Sequence, residues 1–412
     1  MAGIPTDSKI SSTGQLIRLL YVARGLRGFG DGFAIIILPA YMTLLGYDAV
    51  AVGIVATASL LGTALLTLIV GWIAPRHDLR PLLMFGAGLM AATGIAFPGV
   101  EHIVLIVLVA FIGTINPSGG DLGVLVPLEH AVLAHSTTDE RRTQIFARYS
   151  LIGALATAAG SLAASLPDLL VAGGSTKLAA FRLMFYAYAV LGILCAALYR
   201  RVPHTRGEEK APQTPLGPSR GTVYKLAALF SIDAFAGGFV AQSLLVLWLF
   251  ERFDLSLSAA GLFFFWSSTL SAFSYPVAAW LAKRIGLVNT MVFTHIPSSV
   301  FLILAAFSPN LYLALGLLLL RSALSQMDVP TRTSYVMAVV TPAERPAAAS
   351  VTAVPRSLAS AISPAISGAL LMTSFTGLPL VVCGALKIAY DLALLFSFRH
   401  VRPPEEQGRQ GE

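Results

Sequence analysis

The chain has 412 residues, of which 56% are hydrophobic and only 12% charged, with a net charge of +7 and two cysteines. Soluble domains carry roughly a quarter charged residues, so this composition excludes one water-soluble globule. Cys195 and Cys383 both fall in apolar runs, which excludes a disulfide framework.

The opening MAGIPTDSKISSTGQ is polar, with no short apolar core before a cleavage site, so the first apolar segment reads as a retained span. Apolar runs of about 20 residues, the length that crosses hydrocarbon, then recur along the whole chain. They predict an all-α polytopic membrane protein with twelve transmembrane helices, at 17–45, 51–73, 79–99, 102–127, 145–166, 181–199, 223–250, 257–282, 287–307, 310–338, 347–372 and 377–398. The polar stretch Arg200–Gly221, rich in proline, glycine and charge, reads as a linker. It divides the chain into an N-terminal six-helix bundle (1–199), a linker (200–222) and a C-terminal six-helix bundle (223–412).

An even number of spans puts both termini on one side. That side collects Arg76, Arg80, Arg141, Arg142, Lys283, Arg284, Arg345 and the basic residues of the linker and tails. The opposite side has Lys177, Arg182 and Arg252. The positive-inside rule therefore places both termini and the linker in the cytoplasm, with the chain in a plasma membrane of the bacterial inner-membrane type. Basic residues dispersed over so many short loops are membrane anchors, so nucleic acid is not an expected partner.

An internal repeat runs through the chain. FGDGF at Phe29–Phe33 aligns with FAGGF at Phe235–Phe239, and Asp48 with Asp254 at the same offset. GWIAPRHDL at Gly71–Leu79 faces AWLAKRIGL at Ala279–Leu287, Asp121 faces Asp328, and TTDERR at Thr137–Arg142 faces TPAER at Thr341–Arg345. The loop after the second span carries Gly71, Ala74, Arg76 and Arg80 in step with the pattern G-x-L-a-D-R-x-G-R-R. It departs from that pattern at Pro75, Asp78 and Leu79. With twelve spans in a 6+6 repeat and a central linker, the chain resembles the major facilitator superfamily over roughly 15–400. The resemblance implies two six-helix bundles around a central cavity lined by the first, fourth, seventh and tenth helices.

Ionisable groups at bilayer depth cost about 2.5–3.5 kcal/mol each on insertion scales, so they are expected to face a cavity or a partner. Arg24, Arg27 and Asp31 share one face of the first span at i, i+3 and i+7. At 1.5 Å per residue, Asp31 lies roughly 20 Å along the axis from Ile17, near the midplane, where its short side chain cannot reach the interface. The fourth span has Asp121 within NPSGGD, then Glu129 and His130; the seventh has Asp233 and Gln242; the tenth has Arg321, Asp328 and Arg332. Asp31, Asp233 and Asp328 are the candidate proton carriers. Arg27, Asp31, Phe33, Asp121, Gln242, Arg321, Asp328 and Arg332 are the candidate substrate contacts. Arg24, Arg27, Asp121 and Glu129 are the candidate gate, in which Asp121 pairs with Arg24 or Arg27. Arg27 and Asp233 occupy equivalent places in the repeat, so they either meet across the axis or pair within their own bundles. Lys387 and Asp391, at i, i+4, are expected to neutralise each other. Gly28 and Gly32 are expected to let a neighbouring helix approach closely.

His130, His135 and His295 share no ligand spacing with cysteine or carboxylates, no Walker pattern occurs and no nucleophile–base constellation stands out, so neither a metal, a cofactor nor an enzyme is expected. The resemblance implies a secondary transporter working by alternating access, a monomer in the bilayer whose partners are a small-molecule substrate and protons. Arginines in the cavity suit an anionic group. The leading expectation is proton-coupled efflux by antiport of a small organic compound, anionic or drug-like; the alternatives are uptake of an organic anion by symport and a non-transporting membrane sensor.

Overall fold

The computed structural model of the chain describes residues 7–119, 123–135, 137, 139–204, 216–341 and 344–398, which form helices and turns with no strand among them. The first group comprises α1 (Asp7–Leu44), α2 (Ala49–Ile73), α3 (Leu79–Ala96), α4 (Ile103–Ile112), α5 (Leu125–His135), α6 (Asp139–Ala163), α7 (Leu166–Ala172) and α8 (Lys177–Tyr199). The second comprises α9 (Arg220–Gly238), α10 (Gln242–Phe253), α11 (Leu257–Ile285), α12 (Leu287–Ala306), α13 (Leu311–Ser325), α14 (Asp328–Ala338), α15 (Arg345–Leu371) and α16 (Leu378–Phe398).

Several helices open on polar side chains that hold otherwise unsatisfied amides. Asp48 accepts from the Ala51 amide, Ser256 from Ala259 and Asn310 from Leu313. Eight stretches are long and apolar enough to cross a membrane: Ala49–Ile73, Leu79–Gly99, Gln144–Ala172, Lys177–Tyr199, Arg220–Phe253, Leu257–Ile285, Leu287–Ala306 and Leu378–Phe398. The expected twelve are thus not present as uninterrupted apolar helices. The fourth span is split between α4 and α5, and the tenth between α13 and α14; the first and eleventh, α1 and α15, are diluted by charged and polar residues.

The breaks have local causes. After α4, Pro117 lacks an amide hydrogen and Gly119 adopts φ +70°, while the Asn116 side chain ties the turn to Ser118 N and Gly119 O. Between α13 and α14 the helix breaks at Gln326–Met327, ahead of Pro330, which sits in the first turn of α14 where a missing amide costs nothing. The seventh span also breaks, between Gly238 and Gln242, where the sequence reads as continuous helix. Gly237 and Gly238 weaken the helix there, and the Ser367 hydroxyl donates to the freed Phe239 carbonyl at 2.6 Å.

The two groups pack alike. α1 lies on α6 as α9 lies on α15; α3 lies on α8 as α12 lies on α16. Glycine sets the closeness of the first pairing. A Cβ on Gly28 would stand 2.8 Å from the Gly153 carbonyl, and one on Gly32 would stand 2.9 Å from the Ser161 nitrogen. In the repeat position of Gly32, Gly238 leaves the Ser360 carbonyl of α15 the same room.

One apolar core contains residues of both groups, including Tyr41, Val52, Phe97 and Phe185 from the first and Leu244, Trp248, Phe263, Ala305 and Leu371 from the second. Toward the ends that carry Tyr199 and Arg220, the cores separate: Leu20, Leu83, Leu128, Tyr149 and Tyr199 form one, and Val223, Phe230, Met291, Tyr335 and Phe398 another. Contacts joining the groups lie at the opposite end. The Ala365 amide donates to Thr57 Oγ1 at 3.0 Å, the Ser243 amide to the Pro117 carbonyl at 3.0 Å, and the Ser258 hydroxyl to Asp168 at 3.2 Å.

Candidate functional site

Because the expected cavity helices are broken (the fourth, seventh and tenth) or carry charges (the first), their polar side chains can converge inside the protein. In the first group they converge on Glu129 of α5, whose side chain is fully buried. The Arg27 guanidinium of α1 pairs with its Oε2, and the Tyr149 hydroxyl of α6 donates to the same oxygen. The Tyr199 hydroxyl of α8 donates to Oε1 at 2.6 Å, and Arg27 also donates to Tyr149 at 3.1 Å. One carboxylate thereby ties four helices together. Arg24, one turn before Arg27, stacks over the Tyr149 ring at 5.4 Å. Asp31, one turn beyond Arg27, remains partly accessible and accepts from the Tyr188 hydroxyl of α8 at 3.3 Å, while Tyr188 also meets Thr114 at 3.1 Å.

In the second group the centre is Asp233 of α9, 4% exposed. Its Oδ1 accepts from Lys387 Nζ of α16 at 2.6 Å and its Oδ2 from Arg332 of α14 at 3.2 Å. Arg332 donates to Asp328, one turn earlier on the same helix, at 2.8 Å. His295 of α12 lies 3.0 Å from Asp391 and 3.2 Å from Lys387. Burying such pairs costs desolvation, which the geometry offsets only when each charge is met, as it is around Glu129 and Asp233.

Arg27 and Asp233, equivalent in the repeat, therefore each pair inside their own group. Glu129 is a partner of Arg27; the expected gate residue Asp121 lies outside the described residues. Lys387 and Asp391 do not neutralise each other as their spacing implies: the side chains diverge to Asp233 and His295. Phe33 is a packing residue, 2% exposed, edge-on to Phe29 and Tyr188. Gln242, partly accessible, packs against Gly119, where a Cβ would stand 2.5 Å from its Oε1. No group of three or more metal-ligating side chains occurs among the described residues.

Two arginines stand apart. Arg321 of α13, partly accessible, has a guanidinium with no hydrogen bond or ion pair among the described residues, and it lies within electrostatic reach of Cys383. Arg356 of α15 lies within electrostatic reach of Asp233, Asp328 and Arg332, yet its Nε is buried and unmatched. Inside the spans of the second group, four cations (Arg321, Arg332, Arg356, Lys387) meet three carboxylates (Asp233, Asp328, Asp391). In the first group Arg27 is met by Glu129, with Arg24 and Asp31 one turn to either side of it on α1.

Sequence reasoning missed Tyr149, Tyr199, His295, Lys387 and Asp391 as members of these networks. They sit on helices outside the expected cavity set; for Lys387 and Asp391 the i, i+4 spacing pointed to each other, and for the rest the sequence signal was their presence within or at the edge of apolar runs.

Comparison with known proteins fits this architecture. The chain is 25% identical to an uncharacterized membrane protein of Saccharomyces cerevisiae over 95% of both chains. Among solved structures it resembles the nucleoside transporter NupG, with a TM-score of 0.72 at 15% identity over 93% of this chain and 99% of that one. The xylose transporter XylE from E. coli gives a TM-score of 0.69 at 15% identity, over 96% and 99% of the two chains. A bacterial homolog of the human lysosomal transporter Spinster gives 0.69 at 13% identity over 96% of both. The sequence profile of the Major Facilitator Superfamily matches residues 20–251 and 226–412. With its helical multi-pass architecture and these transporter neighbours, the chain belongs to the Major Facilitator Superfamily and is a membrane transporter.

Proposed function

We propose that the protein moves a small organic anion by proton-coupled alternating access, with the bundles 1–199 and 223–412 rocking about a central site. The observation that supports this reading is the Arg321 guanidinium, partly accessible and with no hydrogen bond or ion pair among the described residues. An arginine left without a counter-charge at this depth is costly unless its partner arrives from outside, and a carboxylate matches its fork in bidentate fashion. Arg356, also unmatched at Nε, offers a second cation on α15.

Asp31 is the proton carrier in this reading. It is partly accessible, and it faces the space beside the Glu129 network while taking only a 3.3 Å hydrogen bond from Tyr188. Protonating it removes a negative charge and strengthens anion binding, so proton and anion load together. That sign favours symport, the uptake reading. Efflux by exchange requires the two to compete for one carboxylate, and Asp31 beside Arg24 and Arg27 is where such competition would occur.

With the linker and termini on the cytoplasmic side, the separated cores at that end correspond to an inward-open state, closed outside by the Thr57–Ala365 and Pro117–Ser243 contacts. The test is a melting-temperature screen of purified protein against organic acids, amines and neutral compounds, since a ligand of the folded state raises its melting temperature. Acids should give the shifts, and Arg321→Gln should abolish them while keeping the ligand-free melting temperature. Shifts confined to amines or neutral compounds, or retained in Arg321→Gln, contradict the anion reading.

A further inference from the structure

The hydrogen-bonded chain in the second group ends on a histidine that the transport reading leaves unused. His295 is 3% exposed, and its two ring nitrogens face different partners. Nδ1 lies 3.0 Å from Asp391, and Nε2 lies 3.2 Å from Lys387 Nζ. An ammonium only donates, so Nε2 holds a lone pair and Nδ1 carries the hydrogen that Asp391 accepts. The partners thus fix a neutral imidazole in one tautomer. Lys387 donates in addition to Asp233, whose second oxygen accepts from Arg332 of α14. An unbroken chain therefore joins the buried His295–Asp391 pair to α14, one of the helices of the expected central cavity.

The charged and titratable groups around the ring come from every neighbouring helix. α16 supplies Lys387, Tyr390 and Asp391, α9 supplies Asp233, and α14 supplies Asp328 and Arg332. Further out, Arg356 of α15 acts on Asp233 and Asp328 and Arg321 of α13 on Cys383, whereas the charges of α11, Lys283 and Arg284, lie in its last turn. A proton added at Nε2 cannot coexist with the Lys387 hydrogen bond, because both then donate. The nearest other carboxylate oxygen is Asp233 Oδ1, 3.9 Å from Nε2. Among His295, Asp233, Asp328, Arg332, Asp391 and Lys387, the Lys387 side chain is the most exposed, at 12%.

We infer that His295, braced by Asp391, is a second proton-binding site: a proton taken at Nε2 breaks the Lys387 contact, draws Asp233 to the imidazolium and away from Arg332, and so loosens α9 from α14. Its role in coupling rests on the transport reading, whereas the proton site itself does not.

The experiment is ¹⁵N NMR of the purified full chain with labelled histidine, followed from about pH 8 to pH 5, the range in which imidazole ordinarily titrates. His295→Gln identifies the resonance among the seven histidines. At the alkaline end, His295 should show the Nδ1–H tautomer, then convert to the doubly protonated ring on acidification. Asp391→Asn, which removes the bracing charge, should move that conversion to lower pH. An Nε2–H tautomer at the alkaline end, or a ring that stays neutral down to about pH 5, overturns the inference whatever the transport behaviour. Conversely, a titrating ring in a protein whose acid flux ignores a proton gradient contradicts the coupling reading and leaves the proton site standing.

Discussion

Replacing Glu129 with glutamine isolates the hub of the first group. The side chain keeps its shape but loses the charge that meets Arg27, and because Tyr149 and Tyr199 donate to opposite oxygens, the single amide oxygen leaves only one of them its acceptor. Removing one partner of a buried ion pair costs on the order of 3–5 kcal/mol, because the other charge is left uncompensated. Unfolding entropy of about 2.1 cal/mol/K per residue, taken over the chain, converts this to a fall in melting temperature of roughly 3–6 °C. The assay is thermal melting of purified protein followed by tryptophan fluorescence. Arg27→Gln made in the same background removes the orphaned charge, so the double variant should recover most of the loss. A Glu129→Gln protein that melts within a degree of the wild type, or a double variant as unstable as the two single losses added, would refute the hub.

Three further outcomes follow from the packing. Gly32→Ala places a methyl against the backbone of α6 and should cost about 1–3 kcal/mol, whereas Gly71→Ala, with nothing within 4 Å of the added carbon, should be neutral or stabilising; melting curves compare the two. The double variant Thr57→Cys/Ala365→Cys should cross-link on oxidation and stop flux until reduced, and full flux through a fully cross-linked protein would contradict alternation at that end. The Glu344 carboxylate accepts from Gly217 N, Ser219 and Thr341, which hold it well below the usual carboxylate range, at about 2. Its pKa is depressed on folding, so the contact is fully present above the ordinary carboxylate pKa and is lost only as pH falls through about 2. Hydrogen exchange at Gly217 should therefore not change its protection with pH between about 5 and 8, and Glu344→Gln should speed it at both.

How much of this was legible beforehand differs by level. Apolar runs, caps such as Asp48, and the proline at 117 mark helices and one break directly, because each acts within a few residues. The face carrying Arg24, Arg27 and Asp31 was also readable, since helical periodicity alone decides it. The break after Gly238 was not, because two glycines only weaken a helix and the Ser367 hydroxyl that stabilises the freed carbonyl is 128 residues away. The partners of Lys387 and Asp391 were misjudged for a similar reason. An i, i+4 spacing brings two side chains within reach, but buried Asp233 and His295 offer each a better-placed partner. Local rules place charges on a face; which charge meets which is settled by tertiary packing.

The most direct measurement is uptake of an organic acid into proteoliposomes under an imposed pH gradient, using an acid selected by the melting screen. Proton–anion symport through Asp31 and Arg321 requires accumulation when the outside is acidic, collapse of that accumulation on adding a protonophore, and its loss in both Asp31→Asn and Arg321→Gln. Accumulation that ignores the gradient, or that survives in both variants, would contradict it.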